Sequence, residues 1–419
     1  VTRRAVEFSC AVMITGLLAG LAGAATYEAL HLIEHAAYGY SFGTLLSGVG
    51  NSPPLRRVLV PVLGGAMAGL GWWAIRRRKQ VPALSAVIGG EPMPRLQMAA
   101  DAVLQVLVVG FGASLGREGA PRQLAAVFSE FGMSRLSLTA RDREILLACA
   151  AGAGLGAVYS VPVGGAFFAA RVLLNSWHPR VVGTALITSS LAVAVSFPVT
   201  HFEQVLTWPD PSLTYQFAIL ALAIAPLSVS VGLVFNKLIV MAQPHPQLRS
   251  WLLVPGIALA GLVIGVCSIY LPELPGNGRS ILSQTIGANV GLTGAVALLV
   301  LKPLLTALYL RVGAVGGLIT PALATGASAG AVVTLVVNGL AHTHLQVAAM
   351  ALTSAAGVLA VTMRAPTFAA LFAWELARPP EWLFLVFAIA AFAARGLQWL
   401  REQHRDTVVA WAAKSLRVS

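Results

Sequence analysis

Apolar residues in this chain run in windows of about 20 rather than alternating with polar ones, and the windows recur along its whole length. The clearest cover 8–30, 57–76, 98–116, 180–200, 213–240, 251–272, 293–310, 326–340, 345–362 and 383–396. About 20 residues at a rise of roughly 1.5 Å each match the thickness of a bilayer's hydrocarbon core, so these windows predict membrane-spanning helices. Shorter runs between them are broken by Gly and Pro. They predict helices that stop inside the protein, which a membrane tolerates only where protein or a cavity lines the exposed backbone. The pattern therefore predicts an all-α integral membrane protein with many tilted and broken helices. It forms one multi-pass domain over 1–419, with no separable soluble domain expected.

Composition sharpens this. Hydrophobic residues make up 57% of the chain and charged residues 11%, with a mean hydropathy of +0.79 for the 419 residues. A soluble domain carries about 25% charge. The net charge of +12 would invite a nucleic-acid partner, but the cations sit in short loops such as Arg76 to Lys79 and Arg135 to Arg143. That distribution is what the positive-inside rule asks of cytoplasmic loops, and no aromatic-interleaved basic face accompanies it, so nucleic acid is excluded as a partner. Cys10, Cys149 and Cys267 stand alone in apolar runs without disulfide or metal spacing. Trp72, Trp73, Trp177, Trp382 and Trp399 lie near segment ends, where interfacial anchors are expected.

One charged pair interrupts the apolar pattern. Residues 102–116 carry no charge and lead into Arg117 and Glu118, within Gly116-Arg117-Glu118-Gly119-Ala120-Pro121. An ionisable residue at membrane depth costs about 2.5–3.5 kcal/mol on insertion scales, and so marks a functional site. Glycines let backbone amides approach a ligand closely. A helix starting near Pro121 would aim its positive end at the same place. The stretch reads as an anion site with a carboxylate inside it.

Two halves of the chain echo each other. Ala150-Ala151-Gly152 leads to Pro162 and then Arg171, as Ala355-Ala356-Gly357 leads to Pro366 and then Glu375. Upstream, Gly116 to Pro121 has its counterpart in Gly316-Gly317-Leu318-Ile319-Thr320-Pro321. Paired, Gly/Pro-interrupted segments in matching positions point to a transporter built from two repeats around an anionic substrate.

These residues resemble those of the CLC chloride channels and chloride/proton antiporters, over about residues 5–410. Gly116-Arg117-Glu118-Gly119 is similar to the family's G-[KR]-E-G-P motif, with Ala120 in place of proline. Gly316 to Pro321 is similar to G-G-[IVL]-F-x-P, with Ile319 in place of the aromatic. Gly276-Asn277-Gly278, Lys302 with Thr306, and Val161 to Gly165 add supporting matches. The resemblance implies the bacterial type without regulatory domains: two inverted-topology repeats, about 5–200 and 213–410, forming a homodimer in the lipid of a bacterial inner membrane. Each subunit would carry its own pathway for chloride or other small anions. Chloride would be the substrate, with no cofactor, no metal and no enzymatic activity. Backbone amides around Gly116, Arg117, Gly119 and Ala120, and around Gly317, Leu318 and Ile319, would bind the anion. Glu118 would be the gate, ionised in the anion's place and displaced when protonated.

Three departures from the family bear on mechanism. The anion-site motif G-S-G-I-P has only Arg78-Lys79-Gln80-Val81-Pro82 as a counterpart, so Lys79 stands where a serine coordinates the anion. A pore-facing Lys79 would add positive charge to the site; otherwise it is a helix-end lysine of a basic loop. The antiporters' internal proton-transfer glutamate would fall at Arg171 or Val172, and no carboxylate lies between 145 and 200. No tyrosine follows Tyr309, where the inner-gate tyrosine belongs. These losses favour a passive or weakly proton-coupled conductor over a tight chloride/proton antiporter. The fluoride-selective branch also departs at the serine motif, which keeps fluoride/proton exchange open.

Three smaller patterns compete. Gly112-Ala113-Ser114-Leu115-Gly116 fits the G-x-S-x-G elbow of a serine hydrolase, but no histidine is evidently paired with Ser114. His342 and His344 are too few ligands for a metal. Glu375 reads as structural, paired with a cation or a helix end.

Overall fold

A computed structural model describes residues 3–77, 80–200, 208, 216–243 and 250–415. The first half runs α1 (Arg3–Tyr38), α2 (Leu45–Asn51), α3 (Pro54–Arg76), α4 (Leu84–Ile88), α5 (Arg95–Gly110), α6 (Gly119–Gly132), α7 (Ala140–Tyr159), α8 (Pro162–Phe167) and α9 (Pro179–Thr200). A π-helical turn, Phe168–Leu173, continues α8. The second half runs α10 (Gln216–Ala242), α11 (Leu253–Tyr270), α12 (Arg279–Ile286), α13 (Leu292–Arg311), α14 (Ile319–Ala341), α15 (Val347–Met363), α16 (Pro366–Ala377) and α17 (Leu383–Ser415). Among the described residues there is no strand; the only ladder-like contact described is a lone antiparallel bridge between Gly116 and Gly317.

Each of the ten apolar windows falls mainly on one of these helices, residues 213–215 of one lying outside the described residues, and among the described residues eight helices are long and apolar enough to cross a membrane. The chain is a multi-pass integral membrane protein. Long helices such as α3, α10 and α11 turn large apolar side chains outward, among them Leu63, Val234 and Leu259, as a lipid-facing surface requires. The centre is built differently. α7 and α15 are rich in Ala and Gly and buried over most of their length, from Ile145 to Tyr159 and from Ala348 to Val361. Small side chains let helices approach closely where lipid gives no hydrophobic drive for association. α15 packs against α14, α10 and α17, while α7 packs against α1, α6 and α9.

The prolines do what their positions predict. Pro162 and Pro366 sit at the first turn of α8 and α16, where a missing N–H costs nothing. The preceding helices close on left-handed residues, Ser160 at φ 54° and Arg364 at φ 53°. Pro121 and Pro321 each lie in the first turn of a helix, α6 and α14. Both helices begin beside the Gly116–Gly317 bridge, so two distant motifs meet at one point in the bundle.

Candidate anion pathway and its gate

At that point the glycine pair forms a frame. Gly116 N donates to Gly317 O at 2.8 Å, and Gly317 N donates to Gly116 O at 2.9 Å. Those two amides, expected from sequence among the anion donors, are therefore bonded to each other. The free donors are the next ones along, because the first N–H groups of a helix have no intrahelical partner. Ile319 N donates to Glu118 Oε1 at 2.6 Å, and Thr320 N reaches the same oxygen at 3.4 Å. The Thr320 hydroxyl donates to Oε2 at 3.0 Å, and the Tyr159 hydroxyl donates to it at 3.2 Å. Glu118 has no exposed surface. Its carboxylate occupies the N-terminus of α14 as a bound anion would, in the field of the helix dipole.

Close approach explains the glycine. A Cβ on Gly317 would lie 2.1 Å from Glu118 Cδ, so only glycine admits the carboxylate to this seat. Leu318 is the half-buried N-cap of α14, and Ala120 is buried in the first turn of α6. Arg117 turns away from the carboxylate. It donates to Val158 O at 3.3 Å and lies over the rings of Tyr159 and Tyr27, at 4.7 and 5.6 Å. Lys79 falls outside the described residues.

Cavities flank the carboxylate on two sides. One of about 650 Å³ lies beside the basic end of α3; Arg76, Asp101, Gln105, Arg122, Gly119 and Leu318 line it. By the positive-inside rule this is the cytoplasmic side. On the other side a space of about 30 Å³, enough for a water, is bounded by Tyr159, Thr320 and Arg117. Arg117 also borders an outer basin of about 450 Å³ that includes His31, Glu34 and Arg279. Glu118 stands between the two, since its hydroxyl partners line the outer space and its chain neighbour Gly119 lines the inner one.

Several inner-cavity residues escaped the sequence reading. Asp101 is buried and accepts from Trp72 Nε1 at 2.8 Å, Gln105 Nε2 at 2.8 Å and Gln123 Nε2 at 3.1 Å. Trp72 is thus a buried partner of a carboxylate and not an interfacial anchor, because its indole N–H has Asp101 to satisfy it. Arg76 is 2% exposed and donates to Gly313 O at 2.8 Å. Arg122 donates through Nε to Glu118 O at 2.9 Å. The signal for Asp101 was present: it is a carboxylate inside the 98–116 window, subject to the same membrane-depth cost as Glu118.

The competing patterns resolve locally. Ser114 is buried and shares a hydrogen bond of 3.3 Å with the Thr306 hydroxyl, not with a histidine. Glu375 accepts from Val163 N and Gly164 N, so it braces the start of α8, the helix end expected for it. Arg171, where the family's proton-transfer glutamate would fall, lies over the Trp177 ring at 4.5 Å.

Helices that stop inside a membrane bundle, with their amides turned on a buried carboxylate between two cavities, define a transport protein of the broken-helix kind. The chain belongs to the voltage gated chloride channel (CLC) family, whose sequence model matches residues 64–397. Among curated proteins it is similar to the voltage-gated ClC-type chloride channel ClcB of Escherichia coli O17:K52:H18 (strain UMN026 / ExPEC), at 29% identity over 94% of this chain and 96% of the relative. Its fold is shared with a slow cyanobacterial Cl-/H+ antiporter, at a TM-score of 0.75 and 19% identity over 93% of this chain and 95% of that one. It is also shared with a CLC-type fluoride/proton antiporter, at a TM-score of 0.73 and 19% identity over 94% and 97%.

Proposed function

We propose that this chain carries chloride across a bacterial inner membrane through a pathway gated by Glu118, working as a channel or as a weakly proton-coupled exchanger. The observation that carries the reading is the seat of the Glu118 carboxylate, on the α14 amides between two cavities. An ionised carboxylate and a chloride cannot share that seat: two unit charges about 4 Å apart repel by about 4 kcal/mol at an effective dielectric of 20. Protonation removes the charge, releases the side chain and yields the Ile319 and Thr320 amides to the anion. Backbone donors around Gly119 and Ala120 and around Leu318 continue the pathway, with the Gly116–Gly317 bridge holding the two segments in register. Lys79, which stands in the sequence where the family's serine coordinates the anion, is the added positive group of this reading. The working unit is a homodimer with one pathway in each subunit, and chloride is substrate rather than cofactor.

The test is chloride efflux from proteoliposomes with simultaneous recording of external pH. Wild-type flux is expected to rise as the pH falls. Glu118→Gln, which is neutral at every pH, is expected to conduct with that dependence gone. Loss of all flux in the variant, with the wild-type response intact, would falsify the tethered-anion gate.

A further inference from the structure

Among the polar atoms beside the inner cavity that the gate does not use is Gln105 Oε1. Gln105 is 3% exposed, and its Oε1 accepts no hydrogen bond among the described residues. Its orientation is fixed from the other end, because Nε2 faces two acceptors, Asp101 Oδ2 at 2.8 Å and Gln123 Oε1 at 3.3 Å. The carbonyl oxygen is therefore turned onto Gly119, where a Cβ would meet it at 2.1 Å. The same Cβ would stand 3.4 Å from Gly317 N, while a Cβ on Gly317 would meet Glu118 Cδ at 2.1 Å. Two glycines without side chains thus separate the Gln105 oxygen from the gate carboxylate. A bare acceptor beside an anion site repels the anion, and suits a group that brings a hydrogen, such as water.

We propose that Gln105 positions the water through which a proton passes between the inner cavity and Glu118, with Asp101 and Gln123 fixing its amide. The inference rests on the gated-transport reading above. The water gives one proton to the Glu118 carboxylate and regains one from the cavity, so charge and water are conserved at each transfer. The route takes the place of the carboxylate missing near Arg171. The charged and titratable groups around it are Asp101 on its own helix, Arg76 on α3, Arg122 on α6, Tyr159 on α7 and Lys302 on α13; Lys302 is engaged by Gly276 O at 2.7 Å. Arg122 and Arg76 keep the cavity positive for anions, and Asp101 offsets them beside the proton's path.

The experiment is a chloride gradient imposed on proteoliposomes, with proton and chloride fluxes read together. Wild type is expected to move protons against their gradient. Gln105→Leu, which removes the acceptor, is expected to lower the proton-to-chloride ratio at least tenfold. Asp101→Asn, which lets the Gln105 amide turn over, is expected to lower it severalfold. Gln105→Glu, whose carboxyl shares a proton with Asp101 as adjacent carboxylates do and so keeps its other oxygen on Gly119, is expected to retain most of the ratio and serves as the control for folding. A ratio unmoved by Gln105→Leu, or lowered equally by Gln105→Glu, overturns the proposal. Wild-type chloride flux without proton movement also overturns it and leaves the gated pathway standing. Absence of chloride flux sinks the gated pathway itself.

Discussion

Two carboxylates in this protein sit on the N-termini of helices that lie about half the chain away. Glu118 takes the amides at the start of α14, 201 residues on, and Glu375 takes those at the start of α8, 211 residues back. Both satisfy N–H groups that a helix cannot satisfy itself. They differ in what can reach them. Glu118 has cavities on both sides and leans on two hydroxyls, Tyr159 and Thr320, which an ion or water can replace. Glu375 is half-buried and, among the described hydrogen bonds, is held by two backbone amides with no hydroxyl partner. A carboxylate on a helix end gates when cavities adjoin it and hydroxyls share its hold, and braces when backbone amides alone hold it in place.

Removing the brace has the largest expected effect. Glu375→Ala leaves the Val163 and Gly164 amides without their charged acceptor, and hydrogen bonds to charged groups contribute about 1.5–3 kcal/mol each. A loss of about 3 kcal/mol is expected, read as a lowered unfolding temperature of the purified protein. Flux per folded molecule should keep its pH dependence. If stability holds and the pH dependence vanishes instead, Glu375 is a second gate and the comparison breaks.

Next comes the space each carboxylate needs. An added methyl on Gly164 would meet Glu375 Oε2 at 3.2 Å, while one on Gly317 would meet Glu118 Cδ at 2.1 Å. Gly317→Ala cannot keep Glu118 on its seat, although overpacking of this kind costs only about 1–3 kcal/mol elsewhere. The variant is expected to show flux at neutral pH raised severalfold and a flattened pH response in the efflux assay. A normal response would mean that the seat tolerates the methyl group and is not the gate's closed position.

How much of this was legible in the sequence depends on the kind of signal. The apolar windows gave the helices because burial in lipid acts on composition over about 20 residues. They misplaced ends where a buried loop is as apolar as a helix: the 98–116 window runs past the end of α5 at Gly110. The Phe111–Leu115 loop is tolerated there because its backbone is bonded, Ala113 N to Val108 O and Gly276 N to Gly112 O. Glu118 was legible because a lone carboxylate in an apolar setting is costly. Asp101 carried the same mark at the head of the uncharged run 102–116. Tyr159 and Thr320 were not legible as partners, since they lie 161 residues apart and meet only where the end of α7 comes beside the start of α14. Nor was the mutual engagement of the Gly116 and Gly317 amides, which repeat motifs alone present as free donors.

The smallest effect expected is also the finest test of exchangeability. The Tyr159 hydroxyl is shared between Glu118 Oε2 at 3.2 Å and the Thr320 hydroxyl at 2.7 Å, and its ring is fixed edge-on against Phe372 at 5.7 Å. Tyr159→Phe keeps the ring and removes one donor to the ionised carboxylate, a bond of about 1 kcal/mol. The ionised seat is weakened while the protonated side chain loses little, so the gate releases at higher pH. About 1.4 kcal/mol corresponds to one pH unit, so the midpoint of the flux–pH curve should rise by somewhat under one unit, with maximal flux changed less than twofold. A midpoint moving downward would mean that Tyr159 favours the open gate, with its hydroxyl serving the anion or Thr320 rather than the carboxylate. An unmoved midpoint would place the whole hold on Glu118 in the α14 amides and Thr320, making the gate as purely a helix-end device as the brace it is compared with.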